Sequence, residues 1–344
     1  MRRLYETRHI PAARRLAAWL LAAVFSLSLC VQSAWAAPAA PAERTVIPLG
    51  KAVGIKLFAA GVLVVGLADG DTPARTCGLR QGDIITAMDG TAIDSTEQVQ
   101  SLLAEAAGQE TTLTVRRGSS TLALSACARP GAGDAWQLGA WIRDSMAGIG
   151  TLTYYDPATG QYGALGHGIT DVDTAQLMPL ASGSIMETTV KAVKKGRKGD
   201  PGELKGDFSV QRDVGTVTVN SDGGIFGTVA DGEFLSGGTP VPVATAQQVK
   251  TGRATILATI SGSDTAEYQV EIVRLYGADE PTRNMLLRIT DPRLLSATGG
   301  IVQGMSGSPI LQNGRIVGAV THVLLNDPTR GYGIFIGNML DMAG

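Results

Sequence analysis

The residues best suited to chemistry lie near the C-terminus, where Gly304-Met305-Ser306-Gly307-Ser308-Pro309-Ile310 holds a serine between small neighbours. Such a turn lets the amides of Gly304 and Ser306 point at one spot, as an oxyanion hole requires. A hydroxyl is a weak nucleophile unless a base takes its proton, and histidine is the usual base. Beyond the N-terminal segment only His167 and His322 remain. His167, in Gly166-His167-Gly168, sits where flanking glycines make a sharp turn and leave the ring accessible, so it is the first candidate. His322, in an apolar strand, is the second. A carboxylate should hold the imidazole tautomer, and Asp171, Asp173, Asp207, Asp213 and Asp291 all qualify by type. Asp291 follows the apolar stretch Met285 to Ile289 and precedes Pro292, as a strand end facing a cleft or a plain Asp-Pro turn would.

The elements around Ser306 follow a definite order: serine turn, strand, Asn313-Gly314 hairpin, second strand, and Gly331 to Ile336 as a closing strand. That order resembles the C-terminal barrel of chymotrypsin-like serine proteases. The resemblance implies that Ala319-Val320-Thr321-His322-Val323 forms the wall of the pocket for the residue before the scissile bond.

Upstream, Val46 to Ala128 reads as short strands with one helix. Ser95 and Gln98 make a capping-box pattern, and Val99, Leu102, Leu103 and Ala106 share one helical face before Gly108. Cys77-Gly78-Leu79-Arg80-Gln81-Gly82-Asp83-Ile84-Ile85 and Asp89-Gly90 resemble the core of PDZ domains. This implies a groove between a strand and that helix, where an extended peptide adds as a further strand. The candidate ligand loop is Val53-Gly54-Ile55-Lys56-Leu57, with Gly54, Ile55, Lys56 and Leu57 offering their amides. The expected organisation is an export segment over 1–36, a PDZ domain over 46–128, a linker over 129–135 and a peptidase domain over 136–344. The expected fold class is mainly β, an α+β PDZ domain ahead of a chymotrypsin-like double β-barrel.

Four separated motifs make the resemblance narrower: Gly148 to Pro157, Gly163 to Ile169, Lys198 to Gly206 and Thr298 to Ile310. Together they resemble the stage IV sporulation protein B (SpoIVB) peptidases of endospore formers, which also carry a PDZ domain ahead of the peptidase. By that family's pattern the catalytic residues are His167, Ser306 and Asp291, the aspartate 15 positions before the serine. The resemblance further implies export into the space between forespore and mother-cell membranes and self-cleavage. It also implies a cut in the extracytoplasmic part of a membrane-bound regulatory protein, which triggers processing of a sigma-factor precursor. No cofactor and no metal are expected.

Composition is consistent with this. With 29 Lys plus Arg against 31 Asp plus Glu in 344 residues, the net charge of -2 removes the electrostatic case for a nucleic-acid partner. Arg2, Arg3, Arg8, Arg14 and Arg15 precede an uncharged run from Leu16 to Ala40, with Ala34-Trp35-Ala36 as a signal-peptidase pattern. The run is either removed or kept as a membrane anchor. Cys77 and Cys127 either pair or act as small hydrophobes. Lys191, Lys194, Lys195, Arg197, Lys198 and Lys205 form a basic stretch, read as a solvated loop or as a contact for anionic lipid or acidic substrate. Two other readings stay open: an envelope quality-control protease of the high-temperature-requirement type, which usually places its PDZ after the catalytic domain, and a non-catalytic PDZ scaffold.

Overall fold

The computed structural model describes residues 43–343 apart from 132, 134, 230–231, 236 and 278–279. The export segment expected over 1–36 lies outside the described residues, among which no helix is long and apolar enough to cross a membrane.

After a short strand at Thr45–Pro48 comes a long one, β1 (Ala52–Leu67). Its second half pairs with β2 (Ile84–Met88), which pairs with β3 (Glu110–Arg117), which pairs with β4 (Ser120–Cys127). Between β2 and β3 runs α1 (Thr96–Ala106). The local signals act as expected: Ser95 Oγ accepts from Gln98 N, Gln98 Oε1 accepts from Asp94 N, and Ala107 and Gly108 end the helix in left-handed conformations. Val99 and Leu103 bury α1 against Val62, Val64, Ile85 and Leu113. Asp83, 1% exposed, receives two bonds of 2.7 Å from Arg117 and one of 2.8 Å from Arg80 N, so the Gly-Asp pair of the motif ties the end of β3 to the loop before β2.

The strand that follows, β5 (Ala140–Asp156), is the second long one. It pairs along β1 from Ala52↔Thr151 to Leu67↔Ala140. The remaining strands of the first barrel are β6 (Gln161–Ala164), β7 (Leu180–Lys194), β8 (Glu203–Ser221) and β9 (Gly224–Val229). The ring β1-β5-β6-β9-β8-β7 closes because β1 pairs with β5 on one edge and β7 on the other. Its interior is filled by Val53, Ile55, Leu57, Leu152, Tyr162 and Ile185.

The second barrel holds β10 (Gly252–Ala258), β11 (Ala266–Leu275), β12 (Met285–Ile289), β13 (Pro309–Gln312), β14 (Arg315–Leu324) and β15 (Asp327–Phe335), closed in the order β10-β11-β12-β15-β14-β13. Alternate residues point inward, as Met285, Leu287 and Ile289 do along β12. The β13–β14 hairpin turns at Asn313 and Gly314, both at positive φ (52° and 73°), as a type I′ turn demands. Val46, Tyr154, Phe226, Ala319, Ile334 and Met339 form a core shared by the two barrels. The result is a mainly β, chymotrypsin-like double barrel preceded by a PDZ module.

Two expectations are corrected. Gly54, Ile55, Lys56 and Leu57 do not form a ligand loop. They lie inside β1 with both edges paired, and Ile55 and Leu57 are 3% and 0% exposed in the barrel core. A strand with two paired edges has no amides left for a peptide. The division at 129–135 also differs, because residues 52–59 belong to the barrel and 140–143 pair within the PDZ sheet. The two parts therefore share the unbroken strands β1 and β5. Cys77 and Cys127 are unpaired.

Candidate active site

The two barrels meet at a cleft of about 770 Å³ whose walls include His167, Ser306, Thr321 and His322. Ser306 reaches it through a turn made by two glycines at positive φ, Gly304 (97°) and Gly307 (96°). Gly307 is also needed for space, since a Cβ there would lie 2.1 Å from Thr151 O and 2.5 Å from Leu165 N. The serine turn of the second barrel is thus pressed onto the first. Thr151, on β5, holds it from both sides: its amide donates to Ser306 O at 3.1 Å and its hydroxyl to Gly304 O at 2.7 Å. Among the described residues the amides of Gly304 and Ser306 have no acceptor, which leaves them free for a developing oxyanion.

His167 follows β6 through Leu165 and Gly166, both left-handed (φ 68° and 69°). This kink turns the chain off the barrel and into the cleft. Nδ1 lies 2.8 Å from Gly168 O. A carbonyl only accepts, so Nδ1 carries the proton and Nε2 is left as the base. Burial lowers the His167 pKa below its usual value, partly offset by the Gly168 carbonyl, so the ring is neutral at pH 7. The His322 ring lies 5.0 Å from that of His167. Its pKa falls to about 4, first from desolvation and then from repulsion by His167 and Arg283. Ser306 Oγ donates to Thr321 O at 2.7 Å, a resting position on the wall that carries His322.

Asp291 is not brought to this cleft. It caps a short helix, α2 (Pro292–Thr298), where Oδ1 accepts from Arg293 N at 2.9 Å and Oδ2 accepts from Gln269 N at 3.2 Å and Arg293 Nη2 at 2.8 Å. The Arg293 hydrogen bond, chiefly, holds its carboxyl far below the usual carboxylate range. With both oxygens engaged there, it does not orient His167; the Gly168 carbonyl takes that place. The other candidates are also elsewhere. Asp171 and Asp173 are paired with Arg143, and Asp207 and Asp213 are exposed on β8.

Sequence reasoning missed two contributors. Thr151 lies in the Gly148 to Pro157 motif, yet nothing in the sequence joins it to Gly304, 153 positions away. The Lys198 to Gly206 motif reads as a loop, yet Gln303 N donates to Gly202 O and Leu204 N to Gln303 O at 2.8 Å each, so it braces the residue before Gly304. The basic side chains of the stretch from Lys191 to Lys205 are exposed, with Lys194 paired to Asp200 at 2.8 Å.

No curated protein matches the chain. Among solved structures, the active form of the Rv3671c protease of M. tuberculosis aligns over 58% of this chain and 73% of its own at 18% identity and a TM-score of 0.31. The PDZ domain of the SdrC-like protein of Listeria monocytogenes aligns over 24% and 87% at 21% identity and a TM-score of 0.22. The PDZ family model matches residues 64–117. The model of the SpoIVB peptidase S55 family matches residues 134–340, the span that carries both barrels' site residues. The chain therefore belongs to the SpoIVB peptidase S55 family, as a serine peptidase with a PDZ module ahead of its catalytic region.

Proposed function

We propose that the protein is an endopeptidase in which Ser306 is the nucleophile and His167 the base. The observation that carries this is the meeting of both residues in one cleft beside two amides without acceptors. A bound peptide displaces Ser306 Oγ from Thr321 O. His167 Nε2 takes the hydroxyl proton as Oγ attacks the carbonyl, and the amides of Gly304 and Ser306 receive the oxyanion. The same proton then passes to the leaving amine, and water repeats the sequence on the acyl-enzyme. Gly168 O keeps the imidazole in the working tautomer throughout.

Membership of the SpoIVB family supports a sporulation role: self-cleavage, then a cut in the extracytoplasmic part of a membrane-bound regulator. The N-terminal arginines, apolar run and Ala34-Trp35-Ala36 support export to the space between the two membranes. The test is mass spectrometry of the exported chain, wild type beside Ser306→Ala, incubated alone and with a serine-reactive phosphonate. An adduct on Ser306 and self-cleavage confined to wild type are expected. Their absence overturns the assignment.

A further inference from the structure

β5 serves two parts of the molecule in one continuous strand. Its first residues, Ala140 to Arg143, pair with β1 inside the PDZ sheet, and Asp144 Oδ2 accepts from both Thr96 N (2.8 Å) and Thr96 Oγ1 (3.0 Å) at the start of α1. Arg143 binds Asp171 and Asp173, just past His167. Thr151 holds the Ser306 turn. Between these contacts, Met146 to Ile149 line the catalytic cleft.

One edge of this stretch is unpaired. Leu152 N donates to Lys51 O, and the register then runs unbroken from Ala52↔Thr151 to Phe58↔Ser145. Hydrogen-bonded pairs alternate in an antiparallel ladder. Gly150, Gly148 and Met146 therefore turn their amides and carbonyls to β1, and Ile149, Ala147 and Ser145 turn theirs away from it. Thr151 obeys the same alternation, since its amide and carbonyl face Ser306 and Leu165. On that far side Ile149, Ala147 and Ser145 have no strand and no backbone partner among the described residues, and Ala147 and Gly148 are exposed. An unpaired strand edge of this kind is a template for another extended chain.

We propose that the substrate segment following the scissile bond pairs antiparallel with this edge of β5 and runs from the cleft to the PDZ module. The occupant is an extended, unfolded stretch of the substrate polypeptide, recognised through its main chain. The direction follows from the geometry. Ser306 lies at the Thr151 end and α1 at the Asp144 end, so an antiparallel chain leaving Ser306 toward α1 presents the residues after the cut bond. From Ile149 to Asp144 the track is about 17 Å, room for about six substrate residues. Beyond it, the Asp144–Thr96 contacts tie β5 to the start of α1 and mark the end of the track.

The inference rests on Ser306 being the nucleophile, and the test separates the two. The bond that the full chain cuts fastest in reduced, denatured casein is rebuilt as internally quenched peptides. These are identical before the bond and carry two to eight residues after it. A second set places an N-methyl group at each successive position after the bond. The expected result is kcat/KM rising about tenfold or more between two and about six following residues. N-methylation should cost about tenfold at every second position and little at those between. No gain beyond two residues, no alternation, gain only from residues before the bond, or no cleavage of casein, each with normal phosphonate labelling of Ser306, overturns the track. Absence of labelling overturns the serine assignment, and the track with it.

Discussion

Replacing Asp291 with asparagine and with alanine separates a structural carboxylate from a catalytic one. In the alanine variant the Arg293 amide loses its cap, at about 0.5–2 kcal/mol, and the Gln269 amide loses its acceptor, at about 1–3 kcal/mol. Together these are about 1.5–5 kcal/mol, at or below the low end of the about 5–15 kcal/mol that holds a typical domain folded. Asparagine keeps a capping oxygen. It forfeits the ion pair with Arg293, whose side chain is 66% exposed, at a cost of no more than about 1 kcal/mol. The carboxyl is held below its ordinary pKa, so its stabilising contribution is complete above about pH 4 and lost as pH falls through the folded pKa. The stability gap between wild type and the alanine variant, measured by urea unfolding, should narrow below pH 4. Catalysis should be almost untouched. A carboxylate that held His167 would be worth about 10⁴-fold in kcat, whereas the Gly168 carbonyl survives both substitutions. Peptide hydrolysis within about threefold of wild type at 25 °C is expected for asparagine, a change of under about 1 kcal/mol. A thousandfold loss in a variant that unfolds at the same urea concentration would refute the reasoning and return Asp291 to the imidazole.

The lowered His167 pKa places the acid limb of kcat/KM below pH 6.5, because activity needs the neutral ring; a limb centred at or above pH 7 in a pH–rate profile would contradict it. Gly307→Ala should abolish phosphonate labelling of Ser306 and lower the melting temperature, since its Cβ would sit 2.1 Å from Thr151 O. Thr151→Val removes the bond to Gly304 O and should lower kcat about tenfold with KM nearly constant, read by steady-state kinetics. Asp83→Ala leaves Arg117 in the PDZ module with only the Gly78 carbonyl as partner and should cost about 1–3 kcal/mol in urea unfolding.

Local features were legible wherever a few neighbouring residues decide them. The Ser306 turn, the Asn313-Gly314 hairpin and the caps of α1 depend on φ preferences and side-chain-to-backbone bonds spanning four residues or fewer. The same kind of signal surrounds Asp291: an N-cap residue, proline at the first helical position and glycine after the last. It spells a helix start, where the residues by themselves offer a strand end or an Asp-Pro turn and only the family's pattern assigns Asp291 to the imidazole.

Pairing was not legible, because a strand's pattern states which face is buried and not which chain lies at its edges. Val53 to Leu57 carries the apolar residues of either a PDZ groove or a barrel wall, and only β5 and β7 closing on both sides decide for the wall. The sharing of strands across 129–135 was hidden for the same reason: a Gly- and Pro-containing stretch marks a turn, while β1 and β5 run through both modules. Residue types alone named Ser306 and His167, since the chain offers few nucleophile turns and few bases. Their meeting, the grip of Thr151 on the serine turn and the replacement of an aspartate by a backbone carbonyl depend on contacts more than a hundred residues apart or on the path of the main chain, and these exist only once both barrels have closed.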